Sequence, residues 1–280
     1  MSETGQSSRA RFSPIRKLIV YGVLVALSII FAAPFVWLVV TSLKPEREIF
    51  STSLPHRVVI TNYTKGLTLF PFLRYLDNTL FLCVVNVIGV VISSSVVAYG
   101  LARIPWRGRD VLFGIILATM MLPPQVTMVP LFALFKWLGW IGSYLPLTVP
   151  AFFGNAFFIF LLRQFLMTIP EDLSDAARLD GCSEFDIYRR VVIPLMRPAL
   201  ATVALFTFLG TWNDFLNPLI YIFDDRYYTL SLGLAMFTSQ YGSYWGQLMA
   251  VSTVMVVPVM ILFFLTQKTF IQGITLTGMK

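Results

Sequence analysis

The sequence predicts an all-α polytopic membrane protein with six transmembrane helices and both termini cytoplasmic, and three observations carry that prediction. Of its 280 residues, 57% are hydrophobic and only 12% are charged, and the mean hydropathy of +0.76 lies far outside the range of a soluble domain. Long runs pass without a single charge: Leu18–Leu43, Asn78–Ala102, Val111–Phe135, Trp137–Leu162, Pro198–Asn213 (continuing past one acid to Phe223) and Gly246–Gln267. A helix needs about 20 apolar residues to cross roughly 30 Å of hydrocarbon. Finally, with the N-terminus inside, the inner segments take two thirds of the 21 Lys and Arg residues, the asymmetry expected of cytoplasmic loops. The net charge of +7 is therefore a topology signal and gives no reason to expect nucleic acid.

The elements follow in order. Residues 1–15 are polar and read as a disordered cytoplasmic N-terminus. The first span, 16–43, is too long for the apolar region of a cleaved signal peptide and carries a kink at Pro34. An extracytoplasmic loop covers 44–77. The second span ends with Ser94, Ala98 and Ala102 at i+4 spacing, small residues that let two membrane helices approach closely. Arg103–Asp110 is a short basic inner turn. The third span is interrupted by Pro123, Pro124 and Pro130, and such breaks are tolerated where backbone is buried in protein or lines a watery cavity. The fourth span, about Leu145–Met167, holds Asn155 near its centre. The fifth opens with Pro198 in its first turn and carries Thr211-Trp-Asn-Asp-Phe-Leu-Asn-Pro218. An outer loop, Asp224–Trp245, leads to the sixth span. Residues 78–268 thus make a five-helix core, and 269–280 a cytoplasmic tail.

Between the fourth and fifth spans, the inner loop 168–197 is unlike the rest of the chain. Six of the 14 acidic residues crowd into Glu171–Asp186. Pro170 opens a first short helix with Glu171, Asp172 and Asp175 in its early turns, where the helix dipole favours negative charge. Gly181 caps its C-terminus. Ser183 and Asp186 then begin a second helix as an imperfect capping box, and Pro194 ends it. Leu173, Ala176 and Ala177 are expected on one face, and Phe185, Tyr188 and Val192 on another. An amphipathic platform on so apolar a chain suggests a partner that pushes on it; the alternative is a solvated loop lying on the lipid headgroups.

This island resembles the cytoplasmic signature of bacterial binding-protein-dependent ABC importer permeases: Glu-Ala-Ala, three residues, Gly, nine residues, then Ile-x-Leu-Pro. Here Asp175-Ala176-Ala177 is followed at the same spacing by Gly181 and by Val191-Val192-Ile193-Pro194. The departures are Asp for Glu, Val for Ile and Ile for Leu. Trp212-Asn213-Asp214-Phe215 with Asn217-Pro218-Leu219, and the tail Gln272–Lys280, are similar to the carbohydrate group of that family, specifically the smaller permease of maltose-type importers. The resemblance implies a type I ABC importer permease fold in the inner membrane. It also implies a second permease as pseudo-symmetric partner, an ATPase homodimer that binds the ATP and Mg, and an extracytoplasmic solute-binding protein. Asp175, Ala176, Ala177, Gly181, Val191, Ile193 and Pro194 would then be the ATPase-coupling residues. Gln240, Tyr241, Gly242 and Ser243 would contact the binding protein. The implied substrate is a sugar or oligosaccharide, with glycerol phosphate within the same group; a peptide or amino-acid permease is the nearer alternative and an ion-coupled transporter the more distant.

The chain has no Gly-Lys dipeptide, hence no P-loop to cradle nucleotide phosphates, so no cofactor site is expected in it. Nor is a catalytic or metal constellation expected: the single His, His56, lies in the outer loop, and Cys83 and Cys182 have no ligand-spaced neighbours. Candidate translocation-path groups are Asn155, Trp212, Asn213, Asp214 and Asn217. A carboxylate near a bilayer centre costs about 3 kcal/mol, so Asp214 is expected to face a wet or hydrogen-bonded interior. The alternative is that Asp214 and Asn217 cap a bent helix end ahead of Pro218.

Overall fold

The computed structural model describes residues 14–239 and 244–278, and the side chains of 15–238 and 244–267. Every regular element among the described residues is helical. Backbone packing separates two units, 14–66 with 244–253, and 67–239 with 254–278.

In the first unit, α1 (Pro14–Ser42) is the first expected span. Its apolar stretch Ile15–Ser42 has a mean hydropathy of 2.7 and is exposed from Ile15 to Trp37, with Thr41 and Ser42 buried at its end. Its C-terminal carbonyls are not left open. Asn62 Nδ2 donates to the carbonyls of Ser42 (2.8 Å) and Lys44 (3.0 Å), and Ser42 Oγ meets Tyr63 OH at 2.7 Å. Lys44 is wholly buried, donating to the Ser51 carbonyl at 2.7 Å and lying 4.4 Å from the Trp37 ring centroid. Asn62 and Tyr63 belong to α2 (Thr61–Thr68), so the expected loop 44–77 is partly helical.

In the second unit, α3 (Phe72–Ala102) begins six residues before the expected Asn78. The extra turns are held because Phe72 and Tyr75 are buried, with Phe70 beside both rings. The third span is two helices, α4 (Arg109–Thr119) and α5 (Pro124–Trp137), bent by 99° at the predicted proline pair. Pro123 and Pro124 stop α4 and restart the chain as α5, whose first turn needs no N–H from Pro124. The fourth span is likewise not continuous. It runs as α6 (Leu145–Thr148), a 3₁₀ stretch (Val149–Phe153) and, after Gly154 and Asn155, α7 (Ala156–Leu166).

The inner loop carries α8 (Asp172–Leu179), then α9 (Glu184–Asp186), a π-helical turn (Ile187–Val192) and α10 (Ile193–Leu195). Next come α11 (Arg197–Trp212) and α12 (Leu216–Tyr221). The outer loop expected at Asp224–Trp245 contains a further helix, α13 (Leu230–Ser239). Its Leu230, Leu232 and Phe237 are buried, with Phe237 edge-on to Phe70 at 5.6 Å. Gly233 permits this packing, since a Cβ there would lie 2.7 Å from the Tyr75 ring and 2.8 Å from that of Phe70. Last comes α14 (Trp245–Gly278), which continues as helix through most of the expected tail.

Helix α3 is the axis of the second unit, with α11, α7 and α13 laid along it. Ser94 and Ala98, two of the small residues picked out by spacing, are fully buried, and Ala98 packs among Phe158, Leu162, Phe165 and Leu166. Among the described residues, four helical stretches are long and apolar enough to cross a membrane: Ile15–Ser42, Phe72–Ala102, Leu145–Leu166 and Trp245–Gln267. The pairs Arg109–Thr119 with Pro124–Trp137, and Glu184–Leu195 with Arg197–Trp212 (bent by 77°), bring the number to six if each is one span.

Candidate coupling element and polar path

The segment 168–197 folds as two helices about Gly181, as its residues predict. Gly181 has φ +81°, a left-handed conformation that L side chains rarely adopt. Its N–H donates to the Arg178 carbonyl and the Cys182 N–H to that of Ala177, both at 3.0 Å. This paired pattern is the Schellman closure of a helix. Ser183 Oγ caps the next helix by accepting from the Asp186 N–H at 3.2 Å. The Asp186 carboxylate turns to the Ser183 hydroxyl at 2.5 Å, which makes the capping box imperfect.

Two expectations about this segment need correction. Pro194 does not end the second helix but lies inside α10, and Arg197 opens α11 two residues after α10 closes. The chain passes Pro194 by widening beforehand into a π turn, in which the Ile193 N–H donates to the Tyr188 carbonyl five residues back. A proline ring presses on the carbonyl four residues earlier, here that of Arg190, and one extra residue in the turn relieves this. The faces also divide differently. Ala177 packs inward with Ile187, Val192 and Met196, whereas Ala176 is exposed beside Leu173. Phe185 points outward, away from buried Val192, and Leu179 is 90% exposed. The outward surface is thus Leu173, Ala176, Leu179 and Phe185, with acids around it. Of the other signature residues, Asp175 and Pro194 are exposed, and Val191 and Ile193 are half-buried.

Charge joins the segment to the bundle. Arg178 Nη1 binds Asp175 Oδ1 at 2.7 Å, and its Nε binds Glu184 Oε1 at 2.8 Å across the Gly181 bend. Glu184 Oε2 accepts from Tyr99 OH of α3 at 2.7 Å. The donors Arg178 and Tyr99 hold the Glu184 carboxyl below its ordinary range. Tyr188 OH meets Ser95 Oγ of α3 at 2.8 Å. At the start of the loop, buried Arg103 donates to the carbonyls of Leu166 (2.8 Å) and Ile169 (2.6 Å), with Glu171 at 3.7 Å. It closes the end of α7, where a cation suits the dipole. Sequence reasoning counted Arg103 and Arg178 only as inner charges. The Asp175 partner of Arg178 lies three residues back on the same helix and was open to a spacing argument. The Glu184 partner of Arg178 and the carbonyl partners of Arg103 lie outside the helix that carries each arginine.

The polar candidates within the apolar helices lie at helix ends. Asn155 Oδ1 accepts from the N–H groups of Phe157 (3.0 Å) and Phe158 (3.3 Å), capping α7, and its own N–H donates to Ser94 Oγ at 3.2 Å. Asp214 Oδ1 accepts from the Asn217 N–H (3.2 Å), and its Oδ2 from Asn217 Nδ2 (2.9 Å), so this pair caps α12. Trp212 is 2% exposed and stacked on Phe208, leaving no ring face open. Asn213 is exposed but its Nδ2 donates to the Leu209 carbonyl at 2.8 Å. Gln240, Tyr241, Gly242 and Ser243 lie outside the described residues. No group of three or more metal-ligating side chains occurs among the described residues.

Long and bent apolar helices that carry a charged two-helix platform define a polytopic helical membrane protein. More particularly, the chain belongs to the family of binding-protein-dependent transport system inner membrane components, which it matches over residues 86–276. It is 36% identical over 262 residues to the arabinooligosaccharides transport system permease protein AraQ of Bacillus subtilis (strain 168), a match covering 91% of this chain and 92% of that one. The trehalose/maltose transport system permease protein MalG of Thermococcus litoralis is 30% identical over 94% of this chain and 96% of its own. Among solved structures, a bacterial ABC transporter involved in importing the acidic polysaccharide alginate has a chain of similar fold. The TM-score is 0.79 and the identity 26%, covering 92% of this chain and 99% of that one.

Proposed function

We propose that this chain is one of two permease subunits of an ATP-driven importer in the cytoplasmic membrane. It would carry a sugar or oligosaccharide, handed over by a solute-binding protein, to the cytoplasm by alternating access. The observation that carries the reading is the segment Asp175–Pro194. A family signature kept in register folds here as a bent platform with an apolar outward surface of Leu173, Ala176, Leu179 and Phe185. An apolar patch rimmed by charge is what a docking partner covers. The partner in this reading is the ATPase dimer, which binds the ATP and Mg. In this reading the exposed Asp175, Ala176, Gly181 and Pro194 would meet the partner, while buried Ala177 and half-buried Val191 and Ile193 would brace the segment from within. Six spans with both termini inside accord with the bent pairs and with the Lys and Arg asymmetry.

The sugar assignment is supported by the relatives named for arabinooligosaccharide and trehalose/maltose transport. A glycerol phosphate is the less supported member of the same substrate group. For the path, Asn213, Asp214 and Asn217 form a polar step at the α11–α12 break, with buried Trp212 as its backing, and Asn155 forms another at the start of α7. Asn217→Ala and Asn213→Ala are expected to raise the uptake KM; unchanged values in both would leave these residues as caps alone. The whole reading is tested by reconstituting the chain with its second permease, ATPase and binding protein. Uptake of arabinotriose, maltose, trehalose and diacetylchitobiose is then measured with and without ATP. ATP-dependent uptake of one of them is expected, and failure to associate with any ATPase would defeat the reading.

A further inference from the structure

We propose that Arg178 is a positioning residue that locks the bend at Gly181 and ties it to α3 through Glu184 and Tyr99. A push on α8 then moves α3 instead of being absorbed at the bend. The inference rests on the reading of 168–197 as the coupling element.

Beyond the two hydrogen bonds of the Schellman closure and half-buried Cys182, little else stiffens this joint. A Cβ at Gly181 would meet nothing within 4 Å, so the bend is not wedged by packing. Leu179 and Asp180, just before it, are exposed. Helix α8 buries only Ser174 and Ala177, which gives it a footing of one hydroxymethyl and one methyl group. Arg178 supplies what packing lacks. Its guanidinium binds Asp175 before the bend and Glu184 after it, at 2.7 and 2.8 Å, from two different nitrogens. The other oxygen of Glu184 is taken by Tyr99 OH at 2.7 Å, on the last turns of α3. The Tyr99 ring packs against that of Tyr188 (5.3 Å between centroids), and Tyr188 OH reaches Ser95, also on α3. The chain of contacts Asp175–Arg178–Glu184–Tyr99 therefore crosses from α8 to α3 without passing through the backbone at Gly181.

A planar fork suits this task, because its donors point in fixed directions and serve two carboxylates at once; an ammonium has no such geometry. The same chain of contacts engages Asp175, the acid of the family signature, inside this subunit. A cation offered by the ATPase would have to share Asp175 with Arg178, and docking and the stiffness of the joint would be linked. Because Arg178, Asp175 and Glu184 are all partly solvated, the pairs add little to folding stability, and their loss is expected to leave the subunit folded.

The test compares Arg178→Ala, Tyr99→Phe and the double variant in the reconstituted complex, with sugar uptake and ATP hydrolysis measured in parallel. Each single variant is expected to keep most of its ATP hydrolysis while uptake per ATP falls about fivefold, and the double to be no worse than either single. Arg178→Lys is expected to recover only part of the loss. Unchanged uptake per ATP in both singles, or losses that multiply in the double, would overturn the proposal. A second arm needs no transport. In a Cys83→Ser chain, Cys182 beside the bend is the sole thiol, and both variants are expected to speed its alkylation by N-ethylmaleimide several-fold. Equal rates in all forms would refute the lock, whereas absence of ATP-driven uptake in the parent complex counts against the importer reading alone.

Discussion

Gly181 is used for its backbone alone. At φ +81° any other L residue pays about 1 kcal/mol, and here no neighbour would clash with its Cβ. Gly181→Ala is therefore expected to loosen the end of α8 without wider damage, with amide exchange at residues 181 and 182 rising about fivefold. Equal exchange in the two forms would mean that the closure by Gly181 and Cys182 does not limit opening. Arg103 makes the opposite case, a side chain whose removal reaches far. Its truncation would strand the carbonyls of Leu166 and Ile169 in a buried setting, so Arg103→Ala is expected to destabilise the subunit by about 3 kcal/mol. Thermal unfolding in detergent reads this directly, and Arg103→Lys, able to reach only one carbonyl well, is expected to fall between. Gly181 was legible in the sequence because its role is local, a cap at fixed spacing from Ser183. Arg103 was legible only as a charge, because Leu166 and Ile169 are more than sixty residues away.

At the scale of elements, local chemistry predicted where helices break better than what a break becomes. Pro123 and Pro124 mark the 99° bend between α4 and α5, since a proline pair cannot continue a helix. Pro194 carried the same signal, but it follows a π turn and the helix closes one residue after it, at Leu195, before a 77° bend into α11. The difference is tertiary: Ile187, Val192 and Met196, on both sides of Pro194, are buried in one core cluster that holds the chain on either side of it. Helix α13 was missed for a related reason. Its ten residues are too short for a span, yet Leu230, Leu232 and Phe237 are buried, with Phe237 edge-on to Phe70. The π turn makes a specific prediction. In Pro194→Ala the new N–H can bond the Arg190 carbonyl, so the segment can relax to a regular α-helix. Removing one residue from the turn rotates everything before it by about 100° relative to α11. The variant is expected to reach the membrane in normal amounts and to lose most ATP-driven uptake. Normal uptake would show that the platform's orientation does not depend on this turn.

At the scale of the whole molecule, the order of apolar runs was legible, because twenty-residue charge-free stretches are hard to build for any other purpose. The side of the membrane on which each loop lies rests on charge asymmetry, and native chemistry provides a direct check. Cys83 is buried in α3, while Cys182 is partly exposed in the 168–197 segment. Ser53, in the 44–77 segment, is exposed. In the Cys83→Ser chain, a membrane-impermeant maleimide is expected to leave Cys182 unlabelled in intact spheroplasts and to label it once the membrane is opened. In Ser53→Cys with Cys83 and Cys182 both changed to Ser, labelling is expected in intact spheroplasts. Six spans with both termini inside require this pair of outcomes, because one odd change in the number of crossings between residues 53 and 182 would put both thiols on the same side. If both sites label in intact spheroplasts, the α4–α5 pair, the bent pair that lies between residues 53 and 182, does not cross. The break between α4 and α5 is then the first place to look, since its two helices, 11 and 14 residues long, are each too short to span alone.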